Sequence, residues 1–243
     1  MAIDINTVYQ KVLTLSNKEQ RGYITPQEFN LLADRAQNEI FHNYFYKIRT
    51  TEAKPKAQVD YADELEMIEE KLHPFHVDES VYTDNSSLTL PTNTHKIISI
   101  TRDGNQVTQI NKHEVAYTQN NPLLKATLAR SVFVREDSGV VTIYPAPSSS
   151  TYDSDTTTDG IVNQELFEVS YYKKPTAPSW GYVIVNEKAL YNVNTTVNFE
   201  LHSSEEESLV SRILILAGTA IKQPDIQQAG AQDMQLINQQ QNS

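Results

Sequence analysis

The chain has 243 residues, enough for one large or two small domains with a real core, and it contains no cysteine, so disulfides, Cys-ligated metals and thiol nucleophiles are excluded. Twenty basic against 31 acidic residues leave a net charge of −11, which disfavours a nucleic-acid reader that needs a cationic face. No apolar run approaches the ~18 residues of a membrane span, and no cationic patch followed by an apolar stretch opens the chain, so a soluble, non-secreted protein is expected.

Ile5, Val8, Val12 and Leu15 recur at spacings of three and four and predict a first helix that stops at Ser16-Asn17. A second helix starts on a strong local signal. Thr25 stands as N-cap, Pro26 at the first helical position, and Glu28 closes a capping box. Its apolar stripe is Phe29, Leu32, Ala33, Ala36, Ile40 and Tyr44. After a break over 50–56, a third helix is predicted over 61–72, with Leu65, Ile68 and Leu72 inward and an acidic outer face.

From Val77 the pattern turns to short β-rich runs. Residues 87–91 alternate. The run 97–101 meets Asp103-Gly104, a two-residue hairpin signal, before 107–110. A second hairpin joins 131–134 to 140–144 around Gly139, and 112–129 between the two hairpins reads as a short helix or loop. Residues 148–160 are too polar for a core and read as a mobile loop. Strands are expected again at 166–172, 182–185 and 190–193. A last helix follows, with Ser204 and Glu207 as a capping box and Leu209, Val210, Ile213, Leu216, Ala217 and Ala220 as its stripe. Pro224 closes it, and the glutamine-rich residues 225–243 are too polar to form a stable helix alone.

The fold class expected is α+β: a helical bundle formed by N-terminal and C-terminal helices, with an inserted antiparallel β-sheet or sandwich. The divisions are residues 1–76, helical; 77–202, β-rich; 203–224, a helix returning onto the first helices; and 225–243, a polar arm.

Candidate chemistry is thin. Asp153, Asp155 and Asp159 suggest a calcium loop, but Thr158 and Gln164 stand where an EF-hand register wants Gly and Glu, so a solvated loop is the better reading. His73 and His76 flank Pro74 without a third ligand and read as a helix end rather than a zinc site. Lys173-Lys174-Pro175 beside Tyr171 and Tyr172 reads as a protected edge strand more readily than as a nucleic-acid groove. Nucleophile-elbow, metalloprotease and phosphate-loop motifs do not occur, and seven glycines leave little for a phosphate cradle. Neither an enzyme nor a metal or organic cofactor is expected, and the many neutral amides are expected at the surface.

The order of parts says more than any motif. Residues 30–45 of the second helix, the strand end Ile143-Tyr144-Pro145-Ala146-Pro147, the strand Ser170-Tyr171-Tyr172-Lys173-Lys174-Pro175 and a helix over 205–225 running into Lys222-Gln223-Pro224-Asp225 occur in that sequence. In this order the chain resembles the head-to-tail adaptor (connector) proteins of tailed bacteriophages, the family that includes tail tubular protein A of short-tailed phages and the ring proteins of crAss-like phages. The resemblance implies a structural virion protein of the neck or tail, assembled in the host cytoplasm. About a dozen copies would close into a ring at the portal vertex, dock tail components or other rings, and continue the DNA channel, with DNA only as passing cargo. On that reading Ile226, Gln228, Met234, Ile237 and Gln240 in the tail, and Tyr152 and Asp155 in the polar loop, are candidate partner contacts. The alternative is a non-enzymatic sugar- or protein-binding β-domain of another virion part, such as a tail or fibre attachment protein, with Trp180 and Tyr182 as a stacking platform.

Overall fold

Helix boundaries in the first part of the chain follow their caps. A computed structural model describes residues 2–17, 24–52, 60–84, 86–136, 139–147 and 165–221, with 232 and 235. It divides into two compact units, Met1–Pro74 with Pro175–Ser243, and Phe75–Lys174. Helix and strand are mixed.

In the first unit, α1 (Ile5–Asn17), α2 (Pro26–Glu52) and α3 (Asp60–Leu72) are joined by α5 (Glu206–Ile221). The expected box starts α2: the Glu28 amide donates to Thr25 Oγ1 at 3.3 Å and the Thr25 amide to Glu28 Oε2 at 3.0 Å. α5 packs on α1 and α2, and α3 packs on α2. The buried stripes are Ile5, Val8 and Val12; Phe29, Ala33, Ala36, Ile40, Phe41 and Tyr44; Ile68 and Leu72; and Leu209, Val210, Ile213, Leu214 and Ala217. Leu15, expected inside, is exposed, and Tyr9 fills that role, its ring 4.7 Å from Phe29 and 4.4 Å from Trp180. The last helix is not capped by Ser204. A 3₁₀ turn, Ser203–Glu205, precedes it, and the ring of His202 accepts from the Ser204 amide.

Amides expected at the surface clamp backbone inside this unit. Gln37 is fully buried; its Nε2 donates to the Thr176 carbonyl at 2.8 Å and its Oε1 accepts from the Glu200 amide at 3.2 Å. Asn30, two turns earlier on α2, holds Trp180 in the same two-handed way, accepting from its amide at 2.8 Å and donating to its carbonyl. A side-chain amide has both a donor and an acceptor, so one residue satisfies a non-helical segment that has no ladder of its own.

The second unit is built on one curled sheet. Its strands among the described residues are β1 (His76–Asp84), β2 (Ser87–Thr89), β3 (Thr94–Arg102), β4 (Asn105–Gln106), β5 (Thr108–Gln109), β6 (Val132–Arg135), β7 (Val140–Tyr144) and β8 (Leu166–Lys173), with α4 (Val115–Asn120) between β5 and β6. The order is β4-β3-β8-β1-β2-β7-β6-β5. Asp103 and Gly104 both take positive φ, as the type I′ turn between β3 and β4 requires.

The expected strand 107–110 is broken at Val107, and the break has a function. Asn105 and Gln106 pair with β3, Thr108 and Gln109 pair in parallel with β6, and buried Val107 turns the corner. The sheet's two edges are therefore halves of one segment, and the sheet is nearly closed on itself, which leaves little free edge. Leu88, Leu90, Ile100, Phe133, Val141, Ile143, Phe167, Val169 and Tyr171 form the interior with Val107. β8 lies between β1 and β3. The edge-strand reading of Lys173-Lys174-Pro175 is thus incorrect: the apolar alternation of β8 reflects burial at the centre of the sheet.

Candidate functional site

The run 182–191 is less buried than its composition suggests. β9 (Tyr182–Val185) and β10 (Lys188–Tyr191) form a separate two-stranded sheet, paired Tyr182 with Tyr191, Val183 with Leu190, Ile184 with Ala189 and Val185 with Lys188. It belongs to the unit that contains the helices, although composition placed it in the β-rich insertion. β10 ends at Tyr191 rather than Val193, which enters a 3₁₀ turn, Val193–Thr195.

Only the root of this hairpin is packed. Trp180 is 3% exposed, held by its backbone to Asn30 and by its indole N–H to Asn6 Oδ1 at 3.1 Å. Its ring stacks with Tyr182 at 5.9 Å and 21° and lies 5.7 Å from Tyr191. The indole face is thereby taken, so Trp180 does not form the open stacking platform of the sugar-binding alternative. Beyond the tyrosine pair, Val183, Ile184, Val185 and Leu190 stand in solvent on both faces, Ile184 at 68% exposure. A two-stranded ribbon is marginal in water on its own, and one that exposes apolar side chains on both sides is poorly suited to solvent. The turn Asn186-Glu187 has positive φ at both residues, +50° and +63°. Glycine is the favoured second residue of such a turn, and Glu187 there costs on the order of 1 kcal/mol of strain.

A second apolar surface lies in the other unit, over residues 121–131. Arg130 folds back so that its Nη2 donates to the carbonyls of Leu123, at 2.7 Å, and Lys125. The Leu124 and Lys125 amides donate to the Asn121 carbonyl, the Leu123 amide to Asn121 Oδ1, and Thr127 and Arg130 exchange backbone bonds. Ala126 is buried at its centre. All this order holds Leu123, Leu124 and Leu128 outward, with Leu123 82% exposed.

The foot of this loop is fixed to the sheet by a buried ion pair. Arg102, 1% exposed, grips the Glu165 carboxylate with Nε, at 2.7 Å, and with Nη2; its Nη1 donates to Ser131 Oγ and to the Pro145 carbonyl. Its guanidinium also lies over the Phe167 ring. Ser131 closes the loop through the carbonyls of Thr127 and Leu128.

No family model matches the chain, and no curated protein matches its sequence.

The predicted contacts Ile226, Gln228, Met234, Ile237, Gln240, Tyr152 and Asp155 lie outside the described residues, as does the Asp153–Asp159 stretch considered for calcium. His73 is exposed after α3, and His76 opens β1. Among the described residues no group of three or more His, Asp or Glu is gathered as a metal site would need, and no helix is long and apolar enough to cross a membrane.

A buried polar cluster went unread in the sequence. Glu205 is buried and pairs with Lys71 Nζ at 2.7 Å. Burial, and then the Glu205 charge, hold the Tyr44 phenol well above its ordinary pKa. Burial, and then Lys71, push the Lys47 ammonium down. The cluster ties α2, α3 and the 3₁₀ turn before α5 together.

Neither apolar surface was legible as such. Residues 182–185 have strand character in the sequence, and Leu123, Leu124 and Leu128 stand in a stretch that reads as a short helix or loop. A run of valine and isoleucine reads the same whether its far side meets protein or water.

Proposed function

We propose that this chain is a ring-forming structural protein of a tailed-phage neck, several copies closing around an axis to join the portal to tail components and to continue the DNA channel. The observation that supports this best is the hairpin β9–β10, which places Val183, Ile184, Val185 and Leu190 in solvent with only its root packed. A protein that works by fitting its neighbours needs such surfaces, and they are costly in one that works alone. The order of parts in the sequence supports the same reading, with α1, α2, α3 and α5 serving as a bundle that carries an inserted β-domain. The net charge of −11 suits a channel through which DNA slides, because a cationic lining would bind each passing phosphate. The sugar-binding alternative loses its main feature with the burial of Trp180.

Negative-stain imaging of the full chain, alone and mixed with the purified portal of the same phage, tests the proposal. Closed rings, free or seated on portal, are expected. Dispersed monomers that ignore portal would overturn it.

A further inference from the structure

We infer that Arg102 is a relay: it carries the position of the Glu165 carboxylate to the leucine loop 121–131, so that the order of the loop depends on a group outside it. All the parts belong to the unit Phe75–Lys174, and the inference is independent of the ring reading. Pro145 follows the last residue of β7, and Glu165 precedes the first residue of β8. Arg102, the last residue of β3, holds both, and its Nη1 also reaches Ser131 Oγ at 3.2 Å, just before β6.

The direction of the bonds fixes how the relay works. A guanidinium has donors only, so Ser131 Oγ must accept from Arg102, and its single proton is left for the loop. That proton serves the carbonyls of Thr127, at 3.3 Å, and Leu128, at 3.2 Å. Nε and Nη2 of Arg102 both go to the Glu165 carboxylate, and this two-point grip sets the plane of the guanidinium. Once the plane is set, Nη1 has one direction, toward Ser131 and the Pro145 carbonyl. The two ends of the ion pair differ in access. The Arg102 side chain is 1% exposed and that of Glu165 14%, so Glu165 is the end that a partner or solvent reaches. Its backbone is held separately, the amide donating to Thr83 Oγ1 at 3.1 Å and the carbonyl accepting from the Thr83 amide at 3.0 Å. The carboxylate can thus leave Arg102 while β8 stays paired with β1. Its departure frees the guanidinium to turn, Ser131 loses a charged donor that polarises its hydroxyl, and the loop that presents Leu123, Leu124 and Leu128 loosens.

Hydrogen exchange of the full chain, read on peptides covering 121–131 and, for comparison, 166–173, tests the relay. Glu165→Gln keeps the size of the side chain and removes its charge; it should speed exchange in the loop about tenfold and leave β8 near the wild type. Arg102→Met with Glu165→Leu, which replaces the pair by apolar groups, should melt near the wild type and yet exchange in the loop as fast as Glu165→Gln. A merely structural ion pair would not produce that split. Ser131→Ala should speed the loop to the same degree with both charges in place. Wild-type loop exchange in the double variant would overturn the relay, as would wild-type loop exchange in Ser131→Ala. A rise shared equally by the loop and β8 would also overturn it, since that marks a general loosening of the sheet.

Discussion

Arg102 is a large cation buried to 1% exposure, and its surroundings explain how the fold tolerates it. The Glu165 carboxylate takes two of its donors, Ser131 and Pro145 share a third, and Phe167 lies under the plane, so the group is neutralised and hydrogen-bonded. Breaking such a pair from one side leaves the partner charge unpaired. Arg102→Ala should therefore cost about 3–5 kcal/mol, read as a lower midpoint in urea, whereas Arg102→Met with Glu165→Leu should recover most of it. Tyr171 makes a different prediction. Burial, and then its hydrogen bond to Glu79 at 3.0 Å, push the phenol up to about 12. The folded state thus favours the neutral form, so this contribution is complete below the unfolded value near 10 and is lost as pH rises from about 10 to 12. Tyr44 acts in the same direction from the other unit. In an alkaline titration followed by circular dichroism, Tyr171→Phe should lose part of the decline over that range and keep the part due to Tyr44. An unchanged profile would show that the Glu79 contact carries no linkage.

At the scale of elements, the root of the hairpin is its vulnerable point. A Cβ on Gly181 would lie 2.3 Å from Thr195 Oγ1, 2.6 Å from the Asn192 carbonyl oxygen and 2.8 Å from the Thr195 carbonyl carbon, so backbone would have to move. Gly181→Ala should cost about 1–3 kcal/mol in thermal unfolding and shift the hairpin off Trp180, visible as a change in tryptophan emission. A variant with the wild-type melt and spectrum would refute this account of the root. The elements themselves were largely legible. Thr25-Pro26-Glu28 and Asp103-Gly104 are local signals whose chemistry acts within a few residues, and the structure keeps both. What could not be read depends on distance along the chain. Arg102 meets Glu165 across 63 residues, and Asn30 meets Trp180 across 150. The closure of the sheet by residues 105–109 needs a parallel pairing with β6, which leaves no period in the sequence. Lys173 and Pro175 misled because the same residues guard edges and end central strands.

For the whole molecule, the proposed ring gives the folded units and the polar tail separate contributions. Among the described residues, α5 contributes Leu209, Val210, Ile213, Leu214 and Ala217 to the core, and residues 225–243 follow it in sequence. Their composition is rich in amides, with Ile226, Met234, Leu236 and Ile237 spaced among them, and suits the proposed contact with a partner. The β9–β10 hairpin and the leucine loop, by contrast, lie within the folded units. Contacts between copies and contact with portal should then be separable. A chain ending at Pro224 should unfold within about 0.5 kcal/mol of the full-length protein and still associate with copies of itself in the proposed ring, yet fail to co-sediment with portal rings. If the shortened chain still co-sediments, the arm is not the portal contact. If it instead loses association between copies while remaining folded, the arm belongs to the ring's own interface, and the division of labour between tail and folded units is wrong.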